Sequence, residues 1–296
     1  MIKSKMVILL MLLITLPACV PQKPGPSGKV QQTVELHYQM GINYLNEDKT
    51  PQAIKELTAA QLLASGNADV EHALGLAYQK QKLYDKAIEQ YKKALEIDPK
   101  LSEARNNLGT AYLAKGSYDE AIIFFEECLK DPSYSTPEKA AYNLGVAYFA
   151  KKDIDKAIQN YEKSILLKGD NINALYNLAF AYEEKKEFPK ALEYYKKALS
   201  VDQSFKEANF RIGIVHEGLG EQSKAIESYR KVLELEPEHT GAHLKLGMIL
   251  IKVGSKDEGL KMLEYVVKED PESAFGKQAK EELDKIRNPE TTSNNK

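Results

Sequence analysis

The chain has 296 residues, of which 28% are charged, with 41 basic and 43 acidic side chains. This near balance argues against a nucleic-acid-binding protein, whose surface is usually strongly basic. The two cysteines, Cys19 and Cys128, are too few for a disulfide framework, and neither stands in a spacing typical of metal ligands.

The first eighteen residues have the pattern of a secretory signal. Lys3 and Lys5 precede an apolar run from Met6 to Leu16 that only a threonine interrupts. A run of about eleven residues is too short to span a bilayer comfortably and is typical of a signal-peptide core. Residues 1–18 are therefore predicted to be a signal peptide.

The apolar run ends in Leu16-Pro17-Ala18-Cys19, which resembles the bacterial lipobox. The resemblance implies that Cys19 becomes the lipidated N-terminus of the mature chain, so that the protein reaches the membrane through this lipid. It also implies the outer membrane, because Val20 stands where an Asp would signal retention in the inner membrane. A plain secretory signal cut near Ala18, or an uncleaved anchor, is the alternative.

A proline- and glycine-rich segment follows the cysteine, with the sequence PQKPGPSGKV over residues 21–30. It contains too little apolar material to fold by itself. Residues 19–33 are therefore predicted to be the lipidated cysteine and a flexible tether.

The body of the chain repeats every thirty-four residues. In segment 68–101 a Leu-Gly pair ends at Gly75 and an aromatic residue stands at Tyr91, and one period later the same marks are Gly109 and Phe125. A fixed period of this kind indicates a stack of similar units. The spacing and residue types resemble the tetratricopeptide repeat, a helix–turn–helix unit. The resemblance implies an all-α, right-handed superhelical solenoid.

Seven repeats can be placed, each followed directly by the next except for an insertion, Thr136-Pro137, after the third. A capping helix is predicted at 274–286, and a disordered tail at 287–296. The predicted bounds of repeats 1 to 7 are 34–67, 68–101, 102–135, 138–171, 172–205, 206–239 and 240–273.

Positions are numbered below from the first residue of each repeat, and each mark has a physical reason. A Gly or Ala at position eight lets helix A approach helix B closely, and an aromatic residue at position twenty-four fills the space between repeats. Proline at position thirty-two ends helix B, because it has no amide hydrogen. Gly116 and Gly254 fall in the turn between the two helices, where a left-handed conformation is expected.

No motif in the sequence indicates catalysis, and we expect no enzymatic activity, no cofactor and no bound metal. There is no Gly-rich phosphate loop, no Cys-x-x-Cys and no nucleophile elbow. His239 and His243 are interpreted as solvated side chains at the start of a helix. Cys128 occupies a small position of helix B and is interpreted as a core residue.

In tetratricopeptide repeats the helix A residues at positions 2, 5, 6, 9, 12 and 13 line a concave groove. When these positions are transferred to this chain, the middle of the groove contains many aromatic and apolar side chains, which we expect to be exposed. A run of asparagines lies beside them. Exposed patches of this kind usually mark interaction sites. The predicted protein-binding groove consists of Asn107, Tyr142, Asn143, Val146, Phe149, Tyr176, Asn177, Phe180, Phe210 and Ile214.

These residues have two interpretations. Asparagine amides can pair with the backbone of a bound peptide. Tyrosine at position five and asparagine at position six are also common in the repeat consensus, where they would hold adjacent helices together. Basic residues do not cluster in the groove, so a ligand with a terminal carboxylate is disfavoured.

The junction 131–138 (DPSYSTPE), followed by Ala141-Tyr142-Asn143-Leu144-Gly145, resembles that of the PilF/PilW group. These outer-membrane lipoproteins assist type IV pilus biogenesis as pilotins, and they typically carry six repeats. The resemblance covers most of the chain and implies a periplasmic adaptor that helps a secretin or another pilus assembly component. A scaffold for another envelope system, such as cell-wall synthesis, outer-membrane assembly or secretion, is the alternative.

Overall fold

The computed structural model describes residues 28–287, and its regular structure is entirely helical. Cys19, the predicted signal peptide and residues 288–296 of the predicted tail lie outside the described residues. The helices are α1 (Gly28–Asn46), α2 (Thr50–Leu63), α3 (Ala68–Lys80), α4 (Tyr84–Ile97), α5 (Ser102–Ala114), α6 (Tyr118–Lys130), α7 (Pro137–Ala150), α8 (Ile154–Leu167), α9 (Ile172–Glu184), α10 (Phe188–Val201), α11 (Lys206–Gly218), α12 (Gln222–Leu235), α13 (Thr240–Lys252), α14 (Lys256–Glu269) and α15 (Ala274–Arg287).

The chain forms two compact units, one through Ser65 and one from Gly66 onward. We call α1 and α2 the N-terminal pair, and α3 to α15 the main array. Within the main array each helix packs against the helices that precede and follow it in sequence. The seven helix pairs follow the period of the sequence, so the prediction of an all-helical array of repeats with an additional C-terminal helix is confirmed.

The N-terminal boundary of the first helix differs from the prediction. Helix α1 begins at Gly28, so residues 28–33 belong to a helix and not to a flexible tether. The sequence explains this, because no proline follows Pro26 until Pro51. Val30 is half-buried and Val34, one turn later, is buried, so the added turn continues the packed face of α1. At the other end, α15 extends to Arg287, one residue into the predicted tail.

In six of the seven pairs a glycine at position eight lies directly beneath the side chain at position twenty-four. A Cβ atom built on Gly75 would lie 2.4 Å from the ring of Tyr91, and one built on Gly145 would lie 2.6 Å from the ring of Tyr161. Both distances are too short for real contacts, so a side chain added at Gly75 or Gly145 would have to displace the ring beside it. In repeat 5 the residue is Ala179, which is fully buried.

The turn between helix A and helix B has a left-handed residue at position fifteen in every repeat. The expectation for Gly116 and Gly254 is confirmed, with φ angles of 80° and 94°. Gly220 has the same conformation. The other repeats place a residue with a side chain there, at a cost in backbone strain. These residues are Asp48, Lys82, Lys152 and Lys186, with φ between 57° and 66°.

A small local core lies at the junction between repeats 3 and 4. Tyr134 is buried against Cys128 and Ala140, and α7 then begins at Pro137. Cys128 is fully buried, and its Sγ lies 3.6 Å from the carbonyl oxygen of Ser102. Burial raises the pKa of the Cys128 thiol to about 12, so the interpretation of this cysteine as a core residue is confirmed.

The last helix closes the main array. Ala279 and Leu283 of α15 pack against Leu244, Leu263 and Val266 of repeat 7, and all of these residues are buried. A helix with one apolar and one polar face is what a terminal element of such an array requires, because its outer side faces water. The array therefore ends in a charged surface.

The glycine–ring contact predicts the effect of one substitution. Gly145→Val would force its side chain into Tyr161, and overpacking of this kind costs about 1–3 kcal/mol. We expect a lower midpoint in urea unfolding followed by circular dichroism. The control is Gly169→Val, where an added Cβ would meet only the Ile165 carbonyl oxygen at 3.9 Å. Equal loss in both variants would contradict the role assigned to this contact.

Candidate protein-binding surface

Successive A helices of the main array are joined by a chain of side-chain hydrogen bonds, which we call the amide ladder. In each rung an asparagine at position six donates its Nδ2 to the side chain at position five of the preceding repeat. The rungs run from Asn107 to Nε2 of His72 (2.9 Å), from Asn143 to Oδ1 of Asn106 (3.2 Å), and from Asn177 to the hydroxyl of Tyr142 (3.0 Å).

The run of asparagines at position six ends in repeat 6, where Arg211 stands beside the side chain of Tyr176, at position five of repeat 5. The Arg211 Nη1 donates to Glu183 (3.2 Å), and the guanidinium lies 4.4 Å from the centre of the Phe180 ring. Glu183 in turn accepts from the hydroxyl of Tyr195 (2.7 Å).

Aromatic residues at position five pack on the core ring of their own repeat. The ring centroids are 6.0 Å apart for Tyr142 and Tyr161, and 5.5 Å apart for Tyr176 and Tyr195. Phe210 stands at the same position in repeat 6, 5.7 Å from Tyr229. Position five therefore connects the buried core to the ladder at the surface.

The predicted groove residues are brought together on one face of the A helices, but they are less exposed than expected. All ten are half-buried. Phe149 and Phe180 pack on each other, with ring centroids 5.4 Å apart, and Val146 packs against the central core cluster. The expectation of freely exposed aromatic side chains is therefore wrong. Their side chains pack partly on one another and remain partly open to solvent.

The ladder leaves a regular set of hydrogen-bonding groups at this surface. Asn107, Asn143 and Asn177 each use Nδ2 in a rung, and no hydrogen bond among residues 28–287 occupies their Oδ1 atoms. Since the same residues contain no buried side-chain nitrogen or oxygen without a hydrogen bond, these oxygens face solvent. Three consecutive repeats thus present an amide acceptor in a fixed orientation.

Sequence reasoning missed the polar residues at the C-terminal end of this face. Arg211 and Glu183 occupy positions six and twelve, which the resemblance assigns to the groove, but a single arginine does not form a basic cluster. Glu217 repeats the pattern in repeat 6, where it accepts from the hydroxyl of Tyr229 and lies 3.8 Å from Lys245. The signal available in the sequence was the replacement of Asn by Arg and Lys at position six.

The histidines at the start of α13 have structural roles. His239 caps the helix, with its Nδ1 accepting the N–H of Ala242 at 3.0 Å. His243 is buried and lies 2.8 Å from the carbonyl oxygen of Pro237 through Nε2, so its interpretation as a solvated side chain is wrong. Residues 28–287 contain no group of three or more His, Cys, Asp or Glu side chains that could hold a metal ion.

The repeat geometry defines the class of protein. The family model for the tetratricopeptide repeat matches residues 67–130, 138–204 and 170–237, which together make up more than half of the chain. The chain therefore belongs to the tetratricopeptide repeat family, whose members are scaffolds for protein–protein interaction. No curated protein sequence matches the chain.

Several solved structures share the fold. PilF of Pseudomonas aeruginosa has a TM-score of 0.65 and 21% identity, covering 76% of this chain and 99% of its own. PilW, a widely conserved type IV pilus biogenesis factor, has a TM-score of 0.67 and 23% identity, covering 74% and 99%. YrrB, a repeat protein with an unusual peptide-binding site, has a TM-score of 0.54 and 22% identity, covering 66% and 99%. At these identities the likeness is one of fold.

The first rung of the ladder predicts a pH dependence. Burial lowers the pKa of His72 below its ordinary value of 6.5, although the carboxylates of Asp69 and Glu103 act in the opposite direction. As the pH falls through about 6.5, this histidine takes up a proton in the unfolded chain, whereas burial opposes protonation in the folded chain. The free energy of unfolding therefore decreases as the pH falls. His72→Asn removes the titration and keeps an acceptor, as Asn106 does in the next rung.

We therefore expect His72→Asn to reduce the loss of unfolding free energy between pH 7.5 and pH 5. The measurement is urea unfolding of both proteins at a series of pH values. An identical pH dependence in the two proteins would show that His72 is not held neutral by the fold.

Proposed function

We propose that the protein is a lipid-anchored adaptor of the bacterial envelope, and that it binds a partner protein through the A-helix face of its main array. The amide ladder is the observation that carries this proposal. It joins four consecutive repeats, 2 to 5, and holds half-buried aromatic and amide groups in a fixed arrangement. A preorganised surface loses little side-chain entropy on binding, which favours affinity.

The chemistry of the face favours an extended peptide segment. A peptide backbone offers N–H donors at regular intervals, and the Oδ1 atoms of Asn107, Asn143 and Asn177 are acceptors that recur once per repeat. The half-buried rings of Phe149 and Phe180 lie beside them and provide apolar contact for alternate side chains. The peptide-binding site named for YrrB is consistent with such a ligand on this fold.

Type IV pilus biogenesis is the sharpest version of the proposal. Its support is the shared fold of PilF and PilW, together with the junction at 131–138 and the Asn143-Leu144-Gly145 segment that follows it. In this version the partner is the secretin or another pilus assembly component, and the protein acts as a pilotin. A scaffold role in another envelope complex would use the same face with a different partner.

Anchoring is supported by the sequence Leu16-Pro17-Ala18-Cys19. A lipid on Cys19 would hold the protein at the membrane, and the outer membrane facing the periplasm is the location that fits Val20. Among residues 28–287 no helix is long and apolar enough to cross a bilayer.

The binding face is tested by Asn177→Arg. Arg211 shows that position six of this array accommodates an arginine, and at position 177 the substitution replaces the amide acceptor by a larger cation. We expect cells with this variant to lose heat-stable secretin multimers and surface pili. The readouts are immunoblots of unboiled membranes and electron microscopy.

The control is Gln159→Arg, which places the same charge on an exposed position of α8. This variant should behave as the wild type. If the folded Asn177→Arg protein still supports normal multimers and pili, the A-helix face is not the site. Normal multimers and pili in a deletion strain would exclude the pilotin role and favour another envelope complex.

The anchor is tested separately by Cys19→Ser. We expect the wild type to incorporate labelled fatty acid and to fractionate with the outer membrane, and the variant to carry no label and to become soluble in the periplasm. The control is Cys128→Ser, which leaves the lipobox intact. Wild-type protein that carries no lipid would remove the lipoprotein proposal.

A further inference from the structure

The N-terminal pair exposes three leucines at one end. Leu62 and Leu63, at the end of α2, are 82% and 43% exposed, and Leu36 near the start of α1 is 59% exposed. Removing these side chains from water would be favourable, so they can contribute to binding at an apolar surface.

The register of the two helices places these leucines at the end where α1 begins. Nδ1 of His37 lies 2.7 Å from Oε2 of Glu56, and Gly41 faces the side chain of Leu57. Because the helices run antiparallel, residues that follow Leu57 on α2 are level with residues that precede Gly41 on α1. Leu62 and Leu63 are therefore level with the first turns of α1.

The length of the preceding chain limits how far this end lies from the proposed lipid. Eight residues separate Cys19 from Gly28. Even fully extended, the intervening peptide units reach at most about 32 Å. The beginning of α1 is thus tied close to the lipid-bearing residue, whatever conformation the linking residues adopt.

The charges at this end suit a lipid surface. Between Cys19 and Val34 the only charged residues are Lys23 and Lys29, both basic, and the first acidic residue after Cys19 is Glu35. On α2 and the following turn, residues 57–68 contain no charged side chain. Basic residues near a membrane are attracted to anionic headgroups, while exposed leucines can enter the boundary between headgroups and acyl chains.

We propose that the end of the N-terminal pair formed by the start of α1 and by Leu62 and Leu63 rests on the lipid bilayer. This inference depends on the proposed lipid anchor at Cys19. The lipid holds the chain at the membrane, and the leucines orient the first repeat against the surface. The partner of this patch is the bilayer itself and not a protein.

Repeat 4 contains a matched pair of leucines. Leu166 and Leu167 occupy the same repeat positions as Leu62 and Leu63, and their exposed fractions are 87% and 47%. Leu166 and Leu167 are far from Cys19 in the sequence. They therefore serve as a control for leucines that have similar exposure and the same position in a helix but no lipid anchor close by in the chain.

The experiment uses the full-length lipidated protein in vesicles of phosphatidylethanolamine and phosphatidylglycerol. Leu62→Cys and Leu166→Cys are each labelled with an environment-sensitive fluorophore. Cys128 is buried and its thiol pKa is raised to about 12, so it does not compete for the label. A nitroxide near the top of the lipid acyl chains acts as quencher. Mass spectrometry establishes the state of Cys19 in the same sample.

We expect a blue-shifted, strongly quenched probe at position 62 and an unshifted, weakly quenched probe at position 166. With lipid present on Cys19, equal weak quenching at both positions would overturn this inference and leave the anchor standing. A blue shift at position 62 without lipid quenching would mean that protein covers the patch, which also overturns it. An unmodified Cys19 would remove both the anchor and the inference.

Discussion

The contact between the small residue at position eight of helix A and the large side chain at position twenty-four of helix B sets the distance between paired helices. With Gly75 or Gly145 at position eight, the tyrosine ring lies on the backbone of helix A itself. The ring is then fully or almost fully buried, as Tyr91 and Tyr161 are, and it becomes the platform on which the position-five ring of the same repeat packs. Core and surface are therefore linked through one buried side chain in each repeat.

The amide ladder extends this order from one repeat to the next. Position five is held by the ring beneath it, and position six of the following repeat donates to it, as Asn177 does to Tyr142. The same side chains that would bind a partner also hold the scaffold, so the two interpretations of the asparagines are complementary. Burial raises the pKa of Tyr142, although the hydrogen bond from Asn177 acts in the opposite direction.

Sequence periodicity predicted the features that depend on local chemistry and spacing. The helix pairs, the left-handed turns at Gly116 and Gly254, and the burial of Cys128 all follow from marks that recur every thirty-four residues. The degree of burial of Phe180 and the pairing of Arg211 with Glu183 did not follow, because both depend on the distance between repeats. The burial of His243 likewise depends on Met262 and Tyr265 of the neighbouring helix.

The central claim is that the A-helix face of the main array contacts a partner protein in the cell. Site-specific photo-crosslinking tests it most directly, with the photoreactive residue placed at Asn173, which is exposed at position two of repeat 5, or at Gln159 on the outer side of α8. The account predicts a crosslinked product with an envelope protein from position 173 and none from position 159. A product from position 159 alone would contradict the account, because the partner would then bind the B helices.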